Sequence, residues 1–136
     1  KKSTGEKIAT SNIATGIKSL GILQMLNEKG YLTPNTILII DEPEVHLHPA
    51  WEILYAELLF VLCQLGVTTL IATHSGYFLQ AIYEYSINFK MENKVNIYFG
   101  EKESPTSQTA KFKDVSADPE PIFNALSKPM RDIFKK

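Results

Sequence analysis

A short apolar run that ends in two carboxylates constrains this chain more than any other feature. Residues 37–40 are Ile-Leu-Ile-Ile, and Asp41, Glu42 and Pro43 follow them directly. A continuous apolar run of this length is typical of a strand that is covered on both faces. The pattern therefore predicts that Asp41 and Glu42 emerge together at one fixed edge of a sheet. There, one carboxylate can hold a hydrated magnesium ion while the next polarises a water molecule.

A second strand follows after one helical segment. Pro49 suits the first turn of this helix, and Gly66 is a natural stop. The predicted inner stripe of the helix consists of large apolar side chains, namely Trp51, Leu54, Tyr55, Leu58, Leu62 and Leu65. The second strand is predicted over 67–72, and Ser75 is placed to cap a further helix over about 77–85. Residues 37–85 thus indicate strand–helix–strand–helix with a right-handed crossover and two parallel strands.

The flanking segments complete an α/β fold in which helices flank the parallel strands. An apolar series at helical spacing predicts a helix from Ile13 that Gly30 ends, with Ser11 or Asn12 as its cap. Towards the carboxyl end, 94–99 and 110–115 alternate between apolar and polar residues and predict an antiparallel pair. A last helix is predicted over 121–134, kinked or split by Pro129. We expect one lobe over 1–136, with residues 1–12 flexible.

Composition limits the class of protein. The chain has 136 residues, of which 44% are hydrophobic and 21% charged, as in ordinary globular proteins. A net charge of −1 argues against a global basic field directed at nucleic acid or membrane. The apolar window 54–72 is interrupted by Glu57 and Gln64, so we predict a buried helix and strand there and no membrane partner. The single cysteine, Cys63, fits a reducing compartment, and we expect a cytoplasmic protein.

Two motifs converge on one edge of the predicted sheet. Ligands of open parallel sheets bind at the carboxyl ends of the strands. Asp41 and Glu42 follow one strand, and His74 follows the next. Phosphoryl transfer needs a metal that neutralises the phosphates and a group that orients the attacking water. We therefore assign Asp41 to the metal, Glu42 to the water, and His74 to a hydrogen bond with the γ-phosphate or the water.

The same residues carry a family resemblance. The run from Leu38 to Pro49, with Asp-Glu-Pro-Glu-Val-His-Leu-His-Pro, resembles the Walker B motif and D-loop of ABC-type ATPases in the RecF, SMC and OLD-type branch. It is also similar to AAA-type ATPases of prokaryotic defence and repair systems. Residues 70–75, Leu-Ile-Ala-Thr-His-Ser, resemble their H-loop. The resemblance implies an α/β lobe of the P-loop NTPase-like class with ATP and Mg²⁺ as cofactors. It also implies Asp41 on the magnesium side, Glu42 as catalytic base and His74 as γ-phosphate sensor.

The resemblance also implies a partner. In this family two protomers dimerise head to tail with nucleotide between them. A signature motif on a helix start is expected upstream of Walker B, and Thr15, Gly16 and Lys18 stand there in a partial match. A helix start offers amide groups to a phosphate. His46 and His48 of the D-loop are expected near the dimer interface and the partner's nucleotide.

One element of the family is missing from these residues. No Gly-x-x-x-x-Gly-Lys-Ser/Thr occurs in the sequence, and the stretch Thr4-Gly5-Glu6-Lys7 lacks the first glycine. Without such a loop nothing cradles the α- and β-phosphates. We therefore expect the chain to be the carboxyl-terminal part of an ATPase domain that neither binds ATP tightly nor hydrolyses it alone.

Other interpretations stay open. The chain could be a non-catalytic assembly module derived from such an ATPase. It could be a metal-dependent hydrolase that uses His46 and His48 with Asp41 and His74 as zinc ligands. A receiver-like domain would use the carboxylate pair as a phospho-acceptor pocket, but a matching lysine at a later strand end is not evident. A DNA-directed or nuclease-linked process, with DNA and a nuclease or other effector as partners, rests on family analogy alone.

Overall fold

A computed structural model describes residues 15–104 and 106–134 of the chain. Its elements follow one another along the chain as α1 (Thr15–Glu28), β1 (Ile37–Asp41), α2 (Pro49–Gln64), β2 (Thr68–Ala72), α3 (Gly76–Asn88), β3 (Tyr98–Lys102), β4 (Ala110–Asp114) and α4 (Glu120–Ile133). The predicted α/β class and the order of its elements are confirmed. The proposed caps Ser11 and Asn12, and the first twelve residues, lie outside the described part.

Residue contacts divide the expected single lobe into two compact units. One unit runs to Thr73, and the other begins at His74. The first unit contains α1, β1, α2 and β2, while the second contains α3, β3, β4 and α4. No helix in the described ranges is long and apolar enough to span a membrane.

The first unit is built on a two-stranded parallel sheet. β1 and β2 pair from Ile37 opposite Thr68 to Asp41 opposite Ala72, which confirms the predicted parallel pair. The prediction that both faces are covered is wrong for the described residues. α2 packs on the sheet, but Ile37, Ile39 and Leu70 remain 61–72% exposed. Within the described ranges, the apolar residues of β1 therefore alternate between exposed and half-buried positions.

The buried side of α2 differs from the predicted stripe. Trp51, Leu54 and Leu65 are about half exposed. The buried side chains follow a face rotated around the helix, which consists of Glu52, Tyr55, Ala56, Leu59, Phe60 and Leu62. Because α2 carries apolar residues on nearly every side, spacing alone is compatible with both faces. The position of the sheet decides between them.

Three helices end in the same backbone motif. After α1, the Tyr31 amide donates to the Leu26 carbonyl at 3.0 Å around Gly30, whose φ is 71°. α2 ends in the same way around Gly66, at φ 91°, which confirms both predicted glycine stops. These are Schellman motifs, in which a residue of positive φ lets the chain leave the helix. Lys90, at φ 55°, takes the glycine position after α3.

The second unit contains an antiparallel hairpin and two helices. Ser75 caps α3 as predicted, since its Oγ accepts from the Phe78 amide at 3.1 Å. β3 begins at Tyr98, later than predicted, because residues 92–94 form a 3₁₀ turn. α4 is not split at Pro129 but continues through it, since the proline removes one hydrogen bond while the flanking turns remain helical. A small buried cluster joins these elements, namely Leu79, Ile97, Val115 and Ile122.

Candidate functional site

Asp41 is the last residue of β1. It is exposed, and the alternation of the strand puts it on the same face as Ile37 and Ile39. Its register partner is Ala72, the last residue of β2. The two strands therefore end side by side, as the sequence predicts. In an open parallel sheet this edge is the usual place for a ligand.

Glu42 continues the pairing by one residue and then turns the chain. Its amide donates to the Ala72 carbonyl at 2.8 Å, and its φ is 45°. A left-handed conformation is uncommon for a residue other than glycine and costs about 1–3 kcal/mol. The Val45 amide closes the turn by donating to the Glu42 carbonyl at 3.1 Å. The side chain of Glu42 is exposed beyond the strand end.

A second glutamate links this turn to the other strand. Thr73 Oγ1 donates to Glu44 Oε1 at 2.6 Å, and both residues are half-buried. Glu44 and Thr73 belong to the two motifs at the strand ends, but no role is predicted for either residue from the sequence. A signal is present in the sequence, since Thr73 directly follows the predicted second strand and Glu44 lies two residues after Glu42. The bond makes both residues part of this edge of the sheet.

The two histidines of the turn have different local surroundings. His46 is exposed and has a φ of 65°. His48 is the N-cap of α2, and its Nδ1 accepts from the Ala50 amide at 3.2 Å, with Pro49 at the first helical position. The bond uses Nδ1 as an acceptor, so Nε2 is the ring nitrogen left to contact a ligand. The structure therefore gives His48 a capping role that the sequence interpretation does not include.

His74 lies in the segment that links β2 to α3. It follows Thr73, precedes the capping residue Ser75, and its side chain is exposed. It is the first residue of the second unit. His74 is thus two residues beyond the end of β2, with Thr73 between them.

Thr15, Gly16 and Lys18 lie in the first turn of α1. Lys18 is half-buried. The later turns of α1 line an apolar groove of about 400 Å³ together with the second half of α2, and none of the predicted site residues lines it. All three residues therefore lie in α1 as described, and the residues before Thr15 lie outside the described part.

The carboxylate at the strand end suits a magnesium ion that is shared with a ligand. Mg²⁺ usually keeps several waters and binds one or two carboxylates together with substrate phosphates. Asp41 is exposed at the end of β1 and supplies one carboxylate of this kind. Catalytic zinc sites need three protein ligands. Within the described ranges, no group of three or more His, Cys, Asp or Glu residues could hold a metal ion, so the zinc interpretation gains no support.

One family model matches part of the chain. Residues 18–80 match the model of a family described as "AAA domain, putative AbiEii toxin, Type IV TA system". No curated protein matches the chain at a significant level. The matched segment contains β1, β2 and the turn with Asp41 and Glu42, as well as His74. The match supports an AAA/ABC-type ATPase domain in this segment. Such a domain suggests a nucleotide-binding, ATPase-like function.

Proposed function

We propose that this chain carries the Walker B, D-loop and H-loop part of a magnesium-dependent ATPase. The observation that carries the proposal is the parallel register of Asp41 with Ala72, which aligns the carboxyl ends of β1 and β2 inside the matched segment. Ligand chemistry in open parallel sheets concentrates at such an edge. A phosphate-binding loop, which these 136 residues do not contain, is supplied by another segment.

Each residue has one task in the proposed site. Asp41 holds Mg²⁺, which neutralises phosphate charge when it is bound. Glu42 orients the attacking water and accepts its proton. His74 donates a hydrogen bond to the γ-phosphate oxygens, where negative charge develops in the transition state. The strained backbone of Glu42 is consistent with this task, because strained residues cluster at functional sites.

A second protomer completes the proposed assembly. Two copies bind head to tail, and Thr15, Gly16, Lys18, His46 and His48 face the nucleotide of the partner. His48 caps α2 through Nδ1, so it offers only Nε2 to that nucleotide. A cytoplasmic location and coupling to a DNA-directed or nuclease-linked process extend the family resemblance.

The proposal is tested by Glu42→Gln in the complete protein, in which the phosphate-binding loop is present. Glutamine keeps the shape of the side chain but removes the base. We expect ATP binding to persist and turnover to fall by about 10²-fold or more. Phosphate release and equilibrium ATP binding are measured side by side. The matched control is Glu84→Gln, which changes an exposed glutamate of α3. This variant should hydrolyse ATP at the wild-type rate.

The outcomes separate the interpretations. Turnover near the wild-type rate in Glu42→Gln would contradict the role of Glu42 as base. A complete wild-type protein that binds ATP without turnover would instead favour a non-catalytic assembly module.

A further inference from the structure

One side-chain hydrogen bond ties the turn after β1 to the end of β2. The Thr73 hydroxyl donates to Glu44 Oε1 at 2.6 Å, across 29 positions of sequence. Both residues are half-buried, so water screens the bond less than it would at the surface. A hydroxyl that donates to a carboxylate forms one of the stronger hydrogen bonds in proteins. The bond therefore extends the contact between the strands beyond their last register pair, Asp41 and Ala72.

The segment that this bond holds contains the strained residue Glu42. A left-handed conformation at φ 45° persists only when the surrounding structure fixes it. Two backbone bonds contribute, from the Glu42 amide to Ala72 and from the Val45 amide to Glu42. The Leu47 amide also donates to the Glu44 carbonyl at 2.9 Å. Glu44 is thus held by its backbone in the turn and by its side chain at Thr73, the residue that follows β2.

We propose that Glu44 and Thr73 are positioning residues that set the geometry of Glu42. The inference rests on the proposed ATPase function and deepens it. Thr73 directly precedes His74, so the same bond anchors the chain where it leaves β2. Neither residue needs to contact the nucleotide for this role. Loss of the bond should therefore change the rate of the chemical step and leave nucleotide affinity unaltered.

The test is Thr73→Val in the complete protein, which removes the hydroxyl and keeps the shape of the side chain. We expect kcat for ATP to fall about ten-fold or more, because small misplacements of a reacting group are costly. KM should stay within about two-fold of the wild type, as for an interaction made mainly in the transition state. Thr73→Ser retains the hydroxyl and should restore kcat.

A matched control removes a different hydroxyl, that of Thr69, which lies within β2 four residues before Thr73. Thr69 is also half-buried, and its Oγ1 lies 3.5 Å from Cys63 Sγ on α2. Thr69→Val therefore makes the same chemical change within β2 but leaves the turn of residues 42–45 unaltered. Its kcat should equal that of the wild type. A kcat in Thr73→Val equal to that of Thr69→Val would overturn the inference and leave the proposed function standing.

Hydrogen exchange supplies a readout that does not depend on turnover. The Glu42 amide, bonded to Ala72, should exchange about ten-fold faster in Thr73→Val and at the wild-type rate in Thr73→Ser. Unchanged exchange in Thr73→Val would overturn the positioning role. If the complete wild-type protein shows no ATP turnover, the proposed function fails, and the exchange rates still decide whether the bond holds the turn.

Discussion

The two strand pairs of this molecule are equal in length and opposite in character. The parallel pair, β1 and β2, carries apolar residues on both faces, and one face leaves Ile37, Ile39 and Leu70 largely exposed. In the antiparallel pair, every residue of β4 is exposed, and lysines alternate with other side chains along it. The hairpin sequence suits an edge in water. The sequence of β1 is that of an interior strand, and the predicted chemistry follows that strand.

The pairs also differ at their ends. β1 ends in Asp41, after which Glu42 turns the chain in a strained conformation. β4 ends in Asp114, whose carboxylate accepts from the amide and the hydroxyl of Ser116 at 2.9 and 2.6 Å. The Ser116 hydroxyl in turn accepts from the Ile97 amide at 2.8 Å. One strand-end carboxylate is thus engaged in local structure, while the other is exposed at the edge where parallel strands end.

The largest stability difference between the pairs is expected from glycine substitution. Gly66 lies between α2 and β2 at φ 91°, and an added Cβ would lie 2.9 Å from Pro34 Cβ. Gly66→Ala should therefore lower the free energy of unfolding by about 2–3 kcal/mol, from backbone strain and overpacking. Urea unfolding measures this change.

The hairpin offers the matched substitution. A Cβ on Gly100 of β3 would lie 3.4 Å from the ring of Phe112, which is 78% exposed and can move. We expect Gly100→Ala to change stability by less than about 0.5 kcal/mol, as for an ordinary surface substitution. Equal losses in the two variants would remove the distinction between a tightly fitted parallel pair and a tolerant hairpin.

A smaller effect on stability is expected for the hairpin at low pH, through Asp114. The Ser116 hydroxyl and amide hold the pKa of Asp114 below its usual value. Because the folded pKa is lowered, the stabilisation is present above the unfolded pKa of about 3.9 and is lost as pH falls through the folded value. Thermal unfolding of the wild type should therefore lose a small contribution in that window, and Asp114→Asn should lack it. An identical pH profile in the variant would show that the Asp114 bonds do not stabilise the fold.

Much of this arrangement follows from the sequence because local signals agree. The glycines at 30 and 66, the cap Ser75 and the apolar run of β1 each act within a few residues, and the structure confirms all four. The buried face of α2 was predicted only in part: Tyr55 and Leu62 are buried as predicted, but an almost wholly apolar helix has no unique stripe. The Glu44–Thr73 bond joins residues 29 positions apart, and its existence depends on how the turn after β1 folds. The sequence places both residues beside predicted strand ends, but neither the hydrophobic period nor a local motif shows that their side chains meet.

The most direct test compares the two strand-end carboxylates in the complete protein. ATP turnover is followed against Mg²⁺ concentration for the wild type, Asp41→Asn and Asp114→Asn. We expect the Mg²⁺ concentration for half-maximal turnover to rise about ten-fold or more in Asp41→Asn, because an amide replaces the carboxylate that holds the ion. Asp114→Asn should follow the wild-type curve. A wild-type magnesium curve for Asp41→Asn would contradict the claim that the end of β1 is the magnesium-ATP site.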